Sequence, residues 1–365
     1  MTLEFAPRRL LFPLVPIYRL AMGVRQLWFE SGLAPVERLT YPVISVGNLS
    51  TGGSGKTPLT IALVKALAAR GLRPDVLSRG YGRQTGQPAH VRADGTAEDF
   101  GDEPLLIARE TGVDVYVAPR RFDAGVLAEA DAEMARPAVA PESAGKDAIP
   151  ASDASPSEEN SVPPPAPSFH PIHLLDDGFQ HRQLFRNADI LLVNLHDWRD
   201  MLLPAGNLRE PQEAIHRATV IAIPAEEPEL EAKLRNAGWE GPVWRLRRKM
   251  EIPAVEGPVF AFCGIARPEL FFEGLEDRGL HLVAQLAFPD HYCYSEAILE
   301  HKLAEARRAG AKAFITTEKD LARLGRLASV FPESMPLLTA KLSVEIENVK
   351  SALDWLLEGL LPDPG

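Results

Sequence analysis

A short β-branched run that enters a glycine-rich loop constrains this chain more than any other feature. The segment from Pro42 to Pro58 reads PVISVGNLSTGGSGKTP. In such loops the backbone N–H groups turn inward on phosphate oxygens, the lysine reaches the β/γ-phosphates, and the next hydroxyl ligates Mg²⁺. Lys56 and Thr57 are those two residues here. The loop before them consists of Gly52, Gly53, Ser54 and Gly55. The segment therefore predicts a site for a nucleoside triphosphate.

The surroundings of the loop support this prediction, although Ser50 replaces the first glycine of the usual motif. Residues 43–46 predict a strand before the loop, and apolar residues recur at helical spacing after it until Gly71. A glycine-rich turn without a ligand is the alternative. We favour the phosphate site, because strand, loop, lysine, hydroxyl and helix all match the setting that the motif requires.

The composition excludes several classes of protein. Of the 365 residues, 45% are hydrophobic and 24% are charged, which suits the cores of two ordinary domains. The formal net charge of −11 argues against general nucleic-acid binding. With only Cys263 and Cys293, no disulfide framework exists, and a reducing compartment is the simpler interpretation. A zinc site that also used His291 and His301 is the alternative, but its spacing is unlike that of structural zinc sites.

Apolar runs alternate with helical patterns along most of the chain, which predicts an α/β fold with a parallel sheet covered by helices. We expect a P-loop NTPase-type domain over residues 1–241 and a second, smaller α/β domain over residues 254–365, with residues 242–253 as the linker. A cleft between the domains would hold a large substrate. The last helix, predicted over residues 344–361, could pack on either domain. The strands predicted after the loop are residues 75–77, 113–117, 172–175, 190–193, 219–223, 258–262, 282–287, 313–316 and 337–339.

Residues 136–169 interrupt this alternation. They are rich in Pro, Ala, Ser and acidic residues and have no periodicity. Such a composition buries too little apolar surface to fold, so we predict a disordered surface insertion. A proline-rich docking site is the alternative.

The N-terminal segment, about residues 10–30, predicts an amphipathic helix. Prolines and arginines interrupt its apolar residues, whereas a membrane span needs roughly 20 predominantly apolar residues. Ile17, Leu20 and Leu27 share one face, and Arg19 lies opposite. A helix packed on its own domain is the commoner arrangement. The alternative is a helix that lies in a bilayer interface, with arginines on the lipid head groups.

Polar clusters follow several predicted strands, at the sheet edge where α/β proteins bind ligands. Asp176 and Asp177 stand at the carboxyl end of one strand, the position from which a carboxylate supports Mg²⁺ in P-loop enzymes. An acidic turn is the alternative. Arg209 could place a guanidinium against the charge of a transferred phosphoryl group, or form a surface salt bridge with Glu210 or Glu213.

Two further clusters are weaker signals. The sequence SRGYGR contains Arg79, Tyr81 and Arg83, with glycines that allow close approach to an anionic or sugar ligand. His291 follows a strand of the second domain, and a lone histidine there is more often structural than catalytic.

Taken in order, these clusters resemble the motifs of the tetraacyldisaccharide 4'-kinases, the lipid A 4'-kinases of Gram-negative bacteria. The resemblance covers about residues 1–320 except 136–169. The matching segments are residues 45–58, 78–82, 101–104, 176–181, 208–211, 262–265, 289–291 and 316–320. Ser50 is no departure, because the loop of this family commonly lacks the first glycine. Cys263 and Ala266 stand where the family often has other small or polar residues, which puts no catalytic role in doubt.

The resemblance implies a kinase that transfers the γ-phosphate of ATP, with Mg²⁺, to the 4'-hydroxyl of a tetraacylated glucosamine disaccharide 1-phosphate, giving lipid IV-A. It also implies two α/β domains around a cleft in a peripheral or monotopic protein at the cytoplasmic face of the bacterial inner membrane. With a lipid substrate, interfacial insertion of the N-terminal helix becomes the favoured interpretation, because acyl chains leave a bilayer only at a large hydrophobic cost. Neither nucleic acid nor an obligate protein partner is expected.

The resemblance also assigns roles to single residues. The catalytic residues would be Asp102 as base, His291 as its partner across the cleft, and Lys56 and Arg209 as stabilisers of transferred charge. The metal site would consist of Thr57, Asp177, Glu103 and Gln180. The candidate substrate contacts are Arg79, Tyr81, Arg83 and Asp176, the last being alternatively metal support or loop structure.

Two rival functions are less compatible with the residues. A regulatory or partitioning NTPase would hydrolyse nucleotide without an acceptor, but partitioning ATPases would have lysine at the position of Thr51, and the guanine-reading N-K-x-D has only a poor counterpart in residues 194–197. A lipid-binding module with a vestigial loop conflicts with the intact sequence Gly55-Lys56-Thr57.

Overall fold

The computed structural model describes residue 8, residues 10–134 and residues 171–360, and the predicted insertion 136–169 lies outside them. A twelve-stranded sheet forms the centre of the described part. The strands are β1 (Val43–Asn48), β2 (Arg73–Ser78), β3 (Ala89–His90), β4 (Val115–Val117), β5 (Pro171–Asp176), β6 (Ala188–Leu192), β7 (Val220–Pro224), β8 (Val243–Glu251), β9 (Val259–Cys263), β10 (Leu282–Ala287), β11 (Ala313–Thr317) and β12 (Leu337–Ile346). Their order across the sheet is β10-β9-β11-β12-β8-β7-β6-β1-β5-β2-β4-β3.

The P-loop half of the molecule is built on strands β1–β7, with β1 in its middle. β1 pairs in parallel with β5 on one side and with β6 on the other. All six residues of β1 are buried, as expected for a β-branched strand that is covered by helices on both faces. The order in which successive strands are placed in the sheet reverses beside β1. Ligands of open α/β sheets bind at such a point, beyond the carboxyl ends of the strands.

Helices cover both faces of this sheet. The helices are α1 (Val15–Glu30), α2 (Lys56–Ala68), α3 (Ala97–Phe100), α4 (Asp102–Thr111), α5 (Arg121–Met134), α6 (Leu195–Trp198), α7 (Glu229–Asn236), α8 (Pro268–Glu276), α9 (Glu296–Arg308), α10 (Glu318–Leu324) and α11 (Val349–Glu358). One face of the sheet is covered by apolar residues of α2, α4 and α11, and the other by residues of α1, α5 and α7. Short 3₁₀ segments are Phe12–Leu14, Gln212–Arg217 and Gly325–Val330.

The segment predicted as a linker, residues 242–253, is instead mostly strand β8. It pairs in parallel with β7 and antiparallel with β12, so a single sheet runs from the P-loop half into the second half, which contains β9–β12. Trp244 and Leu246 are buried, while Arg245 between them and Arg247 after them are exposed. This period of two is a strand signal, which the high charge of the segment obscured.

The end of the chain also differs from the prediction. Residues 344–346 complete the long strand β12, and the last helix begins at Val349 rather than at residue 344. Leu353 and Leu356 of this helix are buried in the same core as α2, so the helix packs on the P-loop half. Arg70 beyond α2 pairs with Asp354.

The N-terminal helix α1 turns its apolar face away from the protein. Ile17, Leu20 and Leu27 are 65%, 69% and 66% exposed, whereas Tyr18 packs against the core and donates a hydrogen bond to the carbonyl oxygen of Arg209. Packing of the apolar face on the domain, the commoner arrangement for an amphipathic helix, is therefore not what this helix does. None of the described helices has the length and apolar character that a bilayer crossing requires.

Candidate active site

The glycine-rich loop connects β1 to the first turn of α2. Gly55 has φ +96°, a left-handed conformation that costs glycine little, and it places Lys56 as the first residue of the helix. The Lys56 Nζ donates a hydrogen bond to Asn48 Oδ1 at 3.0 Å and lies 3.6 Å from Asp177 Oδ1. Thr57 follows and is 2% exposed. The loop thus has the form that the motif predicts, at the carboxyl end of a central strand.

Ser50 has a structural reason to replace the first glycine of the motif. Its hydroxyl donates to Asp197 Oδ2 at 2.8 Å and accepts from Asn48 Nδ2 at 2.9 Å. Asp197 is buried and also pairs with Arg267 of the second half. The serine therefore ties the phosphate loop to a buried ion pair, which a glycine could not do.

Asp177 lies at the tip of the loop after β5 and faces two cations. Arg209 contacts both of its carboxylate oxygens, at 2.8 and 3.0 Å, and also donates to Asn48 Oδ1 at 2.6 Å. Burial alone would raise the pKa of Asp177, but Lys56 and Arg209 outweigh it and hold the pKa well below its ordinary value. Asp177 is therefore an ionised, acceptor-only group beside the phosphate loop.

Asp176, its neighbour, is held in the opposite state. It is 1% exposed and accepts a hydrogen bond from Thr60 Oγ1 at 3.2 Å. Burial, reinforced by the negative charges of Glu103 and Asp177, raises the pKa of Asp176 to about 7. Among the described residues no cation lies within salt-bridge distance of this carboxylate.

The other two predicted metal supports lie close by. Glu103 pairs with Lys319 of the second half, an ion pair that spans the cleft. Gln180 donates from Nε2 to the carbonyl oxygen of Asn48 at 2.8 Å. Its Oε1 is buried and finds no donor within the described part of the chain. A buried acceptor without a donor, in a cleft that Asp176 and Asp177 also line, is suited to a cation.

Asp102 and His291, which the resemblance pairs across the cleft, lie close together. Asp102 is the first residue of α4, and its Oδ2 lies 3.3 Å from His291 Nδ1. Arg323 donates from Nε to the same oxygen at 2.7 Å, and Asp320 in turn accepts from Arg323 Nη1 at 3.0 Å. Burial alone would raise the pKa of Asp102, but the hydrogen bond from His291 and the Arg323 charge lower it well below its usual range.

His291 is the member of this pair that faces the cleft. Its side chain is 33% exposed and that of Asp102 is 4% exposed, and the hydrogen bond to Asp102 raises the pKa of the imidazole. The backbone of His291 has φ +57°, an unusual conformation for a residue with a side chain. Tyr81 packs on the imidazole with ring centroids 4.9 Å apart.

The three candidate substrate contacts of the SRGYGR motif separate in the structure. Arg79 and Tyr81 line the cleft, but Arg83 does not. Its Nη1 and Nη2 are buried without a hydrogen-bond partner in the described residues, and burial lowers the pKa of Arg83. Arg83 instead packs against its own loop. Gly80 lies so close to the aliphatic part of Arg83 that a Cβ at position 80 would lie 2.7 Å from Arg83 Cδ.

The cleft itself has a volume of about 870 Å³ and is bordered by both halves of the molecule. Sequence reasoning gave no role to several of the polar residues that line or support it. These are Asn48, Arg121, Arg248, Arg267, Lys319 and Arg323. Arg248 donates to the carbonyl oxygen of Ser54 at 3.1 Å. Lys319 lies in the segment 316–320, which was one of the matching motifs, and Arg323 follows it at helical spacing. That spacing is the sequence signal that could have identified Arg323.

Comparison with known proteins identifies the family. The chain matches the model described as tetraacyldisaccharide-1-P 4'-kinase (LpxK) over residues 7–360. The chain belongs to this family. A tetraacyldisaccharide 4'-kinase of Koribacter versatilis is 36% identical over 357 residues, which cover 95% of this chain and 97% of the relative. Another, from Desulfotalea psychrophila, is 33% identical and covers 88% and 89% of the two chains.

Solved structures agree with this assignment. A crystal structure of the "apo" form of LpxK from Aquifex aeolicus in complex with ATP is 28% identical, covers 97% of this chain and 99% of its own, and has a TM-score of 0.68. The family and the α/β fold class predicted from the sequence are confirmed. The tetraacyldisaccharide-1-P 4'-kinase family consists of phosphotransferases, so the chain is an enzyme.

Proposed function

We propose that this chain transfers the γ-phosphate of ATP to the 4'-hydroxyl of a tetraacylated glucosamine disaccharide 1-phosphate, giving lipid IV-A for lipid A biosynthesis. One observation carries this proposal: the phosphate loop and His291, which lies 3.3 Å from the buried Asp102, line the same cleft. A donor phosphate and an acceptor hydroxyl can therefore be held side by side. Membership of the tetraacyldisaccharide-1-P 4'-kinase family supports the choice of acceptor.

The nucleotide phosphates bind to the loop of Gly52–Gly55, where backbone N–H groups and the N-terminus of α2 favour negative charge. Lys56 reaches the β/γ-phosphates. Mg²⁺, when bound, neutralises charge on the phosphates. Its protein ligands and their immediate support would come from Thr57, Asp177, Glu103 and Gln180, with Asp176 as a fifth oxygen donor.

The acceptor hydroxyl loses its proton to the Asp102–His291 pair. The carboxylate is ionised at neutral pH and tightly held by Arg323, while His291 lines the cleft. The two groups act as one unit, in which Asp102 supplies the negative charge and His291 carries the contact toward the substrate. Tyr81, whose ring packs against the imidazole at an angle of 52°, helps to fix its orientation.

Charge on the transferred phosphoryl group is stabilised by Lys56 and Arg209. Both cations converge on Asn48 Oδ1 and on Asp177, so their positions are fixed before the substrate binds. Preorganised cations of this kind supply most of the catalysis in phosphoryl transfer, because the reacting groups need little covalent help from the protein.

We further propose that the enzyme works at the cytoplasmic face of the inner membrane as a peripheral or monotopic protein. The exposed apolar face of α1, with Leu20 and Leu27, is available for burial in a lipid interface. Arg19 on the same helix, whose side chain is exposed, can meet lipid head groups. The acyl chains then stay in the bilayer while the sugar reaches the cleft.

The deciding experiment compares ATP consumption by the purified protein with and without tetraacyldisaccharide 1-phosphate. Product analysis by mass spectrometry should show one added phosphate on the 4' position. A Lys56→Ala variant is the matched control and should lose turnover by orders of magnitude while keeping its fold. ATP hydrolysis that does not respond to the lipid would instead indicate a nucleotide switch.

A further inference from the structure

Three buried polar side chains, here called the buried network, lie beside the phosphate loop and have no role in the proposed mechanism. Asn48 donates from Nδ2 to Ser50 Oγ at 2.9 Å, and Ser50 donates from Oγ to Asp197 Oδ2 at 2.8 Å. Asn48 and Ser50 are fully buried, and Asp197 is 3% exposed. Hydrogen bonds are stronger where water is excluded, so the three side chains are firmly connected.

The carboxylate at one end of the buried network fixes the direction of its hydrogen bonds. An ionised Asp197 can only accept, so Ser50 gives its proton to this carboxylate. The Ser50 oxygen is then left to accept a hydrogen bond, and the NH₂ group of Asn48 donates it. With its nitrogen turned toward Ser50, the Asn48 amide directs its oxygen to the opposite side.

On that opposite side, Asn48 Oδ1 meets two cations. Lys56 donates to it from Nζ at 3.0 Å, and Arg209 donates from Nη2 at 2.6 Å. Both cations can only donate, so they need the oxygen of the amide. An Asn48 amide turned over would place its NH₂ group against two positive charges. The buried network therefore orients the one side-chain amide that both phosphoryl-stabilising cations share.

Asp197 is itself held from two sides. Arg267, which immediately precedes α8 in the second half, pairs with Oδ1 and supplies the counter-charge that a buried carboxylate requires. Asn194, the N-cap of α6, donates from Nδ2 to Oδ2 at 3.0 Å and accepts from the backbone N–H of Asp197 at 2.8 Å. These contacts keep Oδ2 in place for the Ser50 hydroxyl.

We propose that Asp197 is a positioning residue for phosphoryl transfer. Through Ser50 it fixes the amide of Asn48, and that amide sets the positions of Lys56 and Arg209. The proposal rests on the proposed function and deepens it, because it names the groups that hold the two cations ready. Cations that are already in place need no reorganisation as charge develops on the transferred group. A glycine at position 50 has no hydroxyl and could not connect the carboxylate to the amide.

The test measures kcat, KM for ATP and thermal stability of Ser50→Ala, with tetraacyldisaccharide 1-phosphate as acceptor. This variant keeps the ion pair of Asp197 but leaves the buried NH₂ group of Asn48 without its acceptor. kcat should fall roughly tenfold, and KM for ATP should change little, because backbone N–H groups of the loop also bind the phosphates. Ser50→Thr keeps a hydroxyl and should retain most of kcat.

Ser45→Ala is the matched control for the loss of a buried hydroxyl. Ser45 lies on β1 and is fully buried like Ser50, but its Oγ has no hydrogen-bond partner among the described residues. Its kcat should equal that of wild type.

A double-mutant cycle separates positioning from general support of the loop. Asn48→Ala should lower kcat at least as far as Ser50→Ala, and the double variant should be little worse than Asn48→Ala alone. Asp197→Asn should also lower kcat, because an amide can donate as well as accept and no longer fixes the direction of the hydrogen bonds. Asp189→Asn is its control, since Asp189 is also buried and paired with an arginine, near the start of β6.

Four results would contradict the positioning role. An unchanged kcat in Ser50→Ala, or an equal loss in Ser45→Ala, would remove the buried network from catalysis. Multiplicative losses in the cycle would mean that Ser50 does not act through Asn48. A raised KM for ATP at unchanged kcat would restrict the serine to nucleotide binding. In each case wild type still turns over ATP with the lipid; if it does not, the proposed function itself fails.

Discussion

At the scale of single residues, the candidate site holds three aspartates in two different states. Asp102 and Asp177 each face cations that keep them ionised, whereas Asp176 is buried beside other negative charges and has a pKa near 7. Environments that separate the pKa values of neighbouring acids also separate their roles. We therefore expect Asp102 and Asp176 to respond differently to substitution and to pH.

The Asp102–His291 pair should behave as a unit in kinetics. Asp102→Asn and His291→Ala should each lower kcat by roughly 10²–10⁴-fold, as is typical for loss of a general base, with little change in nucleotide affinity. The double variant should be little worse than the poorer single variant. Rate measurements on the three variants check this, and fully multiplicative losses would mean that the residues act independently.

Asp176 should make Mg²⁺ binding depend on pH near neutrality. Its pKa is raised to about 7, so the carboxylate becomes protonated as the pH falls through that value, and a protonated carboxylate is a poor Mg²⁺ ligand. The Mg²⁺ concentration for half-maximal activity should therefore rise between pH 8 and pH 6. Asp176→Asn should need more Mg²⁺ at both pH values and lose most of this dependence. The same dependence in the variant would remove Asp176 from the metal site.

Most of the candidate site could be predicted at this scale, because loops after parallel strands converge at one sheet edge. Lys56 and Asp177 lie together for this reason. The partners that control their charge were not predictable in the same way: Arg323 and Lys319 act from a helix of the second half. No local pattern in a sequence says which distant cation a carboxylate will face.

At the scale of elements, α1 has an amphipathic pattern that predicts a helix but not the direction of its apolar face. The pattern is the same whether that face packs on protein or on lipid. In the structure, contacts from Tyr18 and Arg25 fix the polar side to the protein and leave the apolar side outward. Whether the apolar face packs on protein or stays outward depends on the surface that α1 meets. The residues of α1 alone do not specify that surface.

The apolar face of α1 offers a direct test. Replacing Leu20 and Leu27 together by glutamine should weaken binding to anionic vesicles at least tenfold, since each buried leucine contributes about 1.5–3 kcal/mol. Thermal stability should hardly change, because both side chains are exposed in the structure. Val126→Gln on α5, another exposed apolar residue, is the control. Vesicle binding equal to wild type would return the helix to a structural role.

A buried histidine joins several elements of the P-loop half. His173 of β5 lies 2.7 Å from Asp75 of β2 through Nδ1 and 3.5 Å from Glu129 of α5 through Nε2. Glu129 also accepts hydrogen bonds from the backbone of Thr40 and Tyr41. Burial alone would lower the pKa of His173, but the two carboxylates outweigh it and raise the pKa to about 9.

This cluster should make stability fall in alkaline solution. The histidine pKa is higher in the folded than in the unfolded protein, so its stabilisation is complete below about pH 6.5 and is lost as the pH rises through about 9. The free energy of unfolding should drop by roughly 3 kcal/mol over that range from this residue. Urea unfolding of wild type and His173→Asn at pH 6 and pH 9 measures it, and an equal drop in both proteins would contradict the assignment.

At the scale of the whole molecule, the sequence predicted two α/β halves but not their continuity. Buried strands and covering helices were recognisable from apolar runs, and β10 has the predicted bounds. Strand β8 was not predicted, because its outward-facing residues are charged and few of its residues face inward. Its partner β12 lies nearly a hundred residues away, and pairing at that distance leaves no local trace.

The segment 136–169 gives a prediction for the entire chain. Deleting residues 138–169 should leave kcat/KM within a few-fold of wild type, because a composition that cannot bury apolar surface contributes little to folding and the entropy of a loop changes only logarithmically with length. Soluble yield and kinetics of the shortened protein measure this. Loss of nearly all activity would show that the segment has a function of its own.

The two cysteines of the chain lie in contrasting positions. Cys263 at the end of β9 is buried, and burial raises the pKa of its thiol, whereas Cys293 is exposed two residues after His291. A thiol-directed fluorophore should therefore react at one site, in the unmodified protein, beside the Asp102–His291 pair. The enzyme carries its own attachment point for an optical reporter, and the arrival of nucleotide or lipid could be followed as a change in emission.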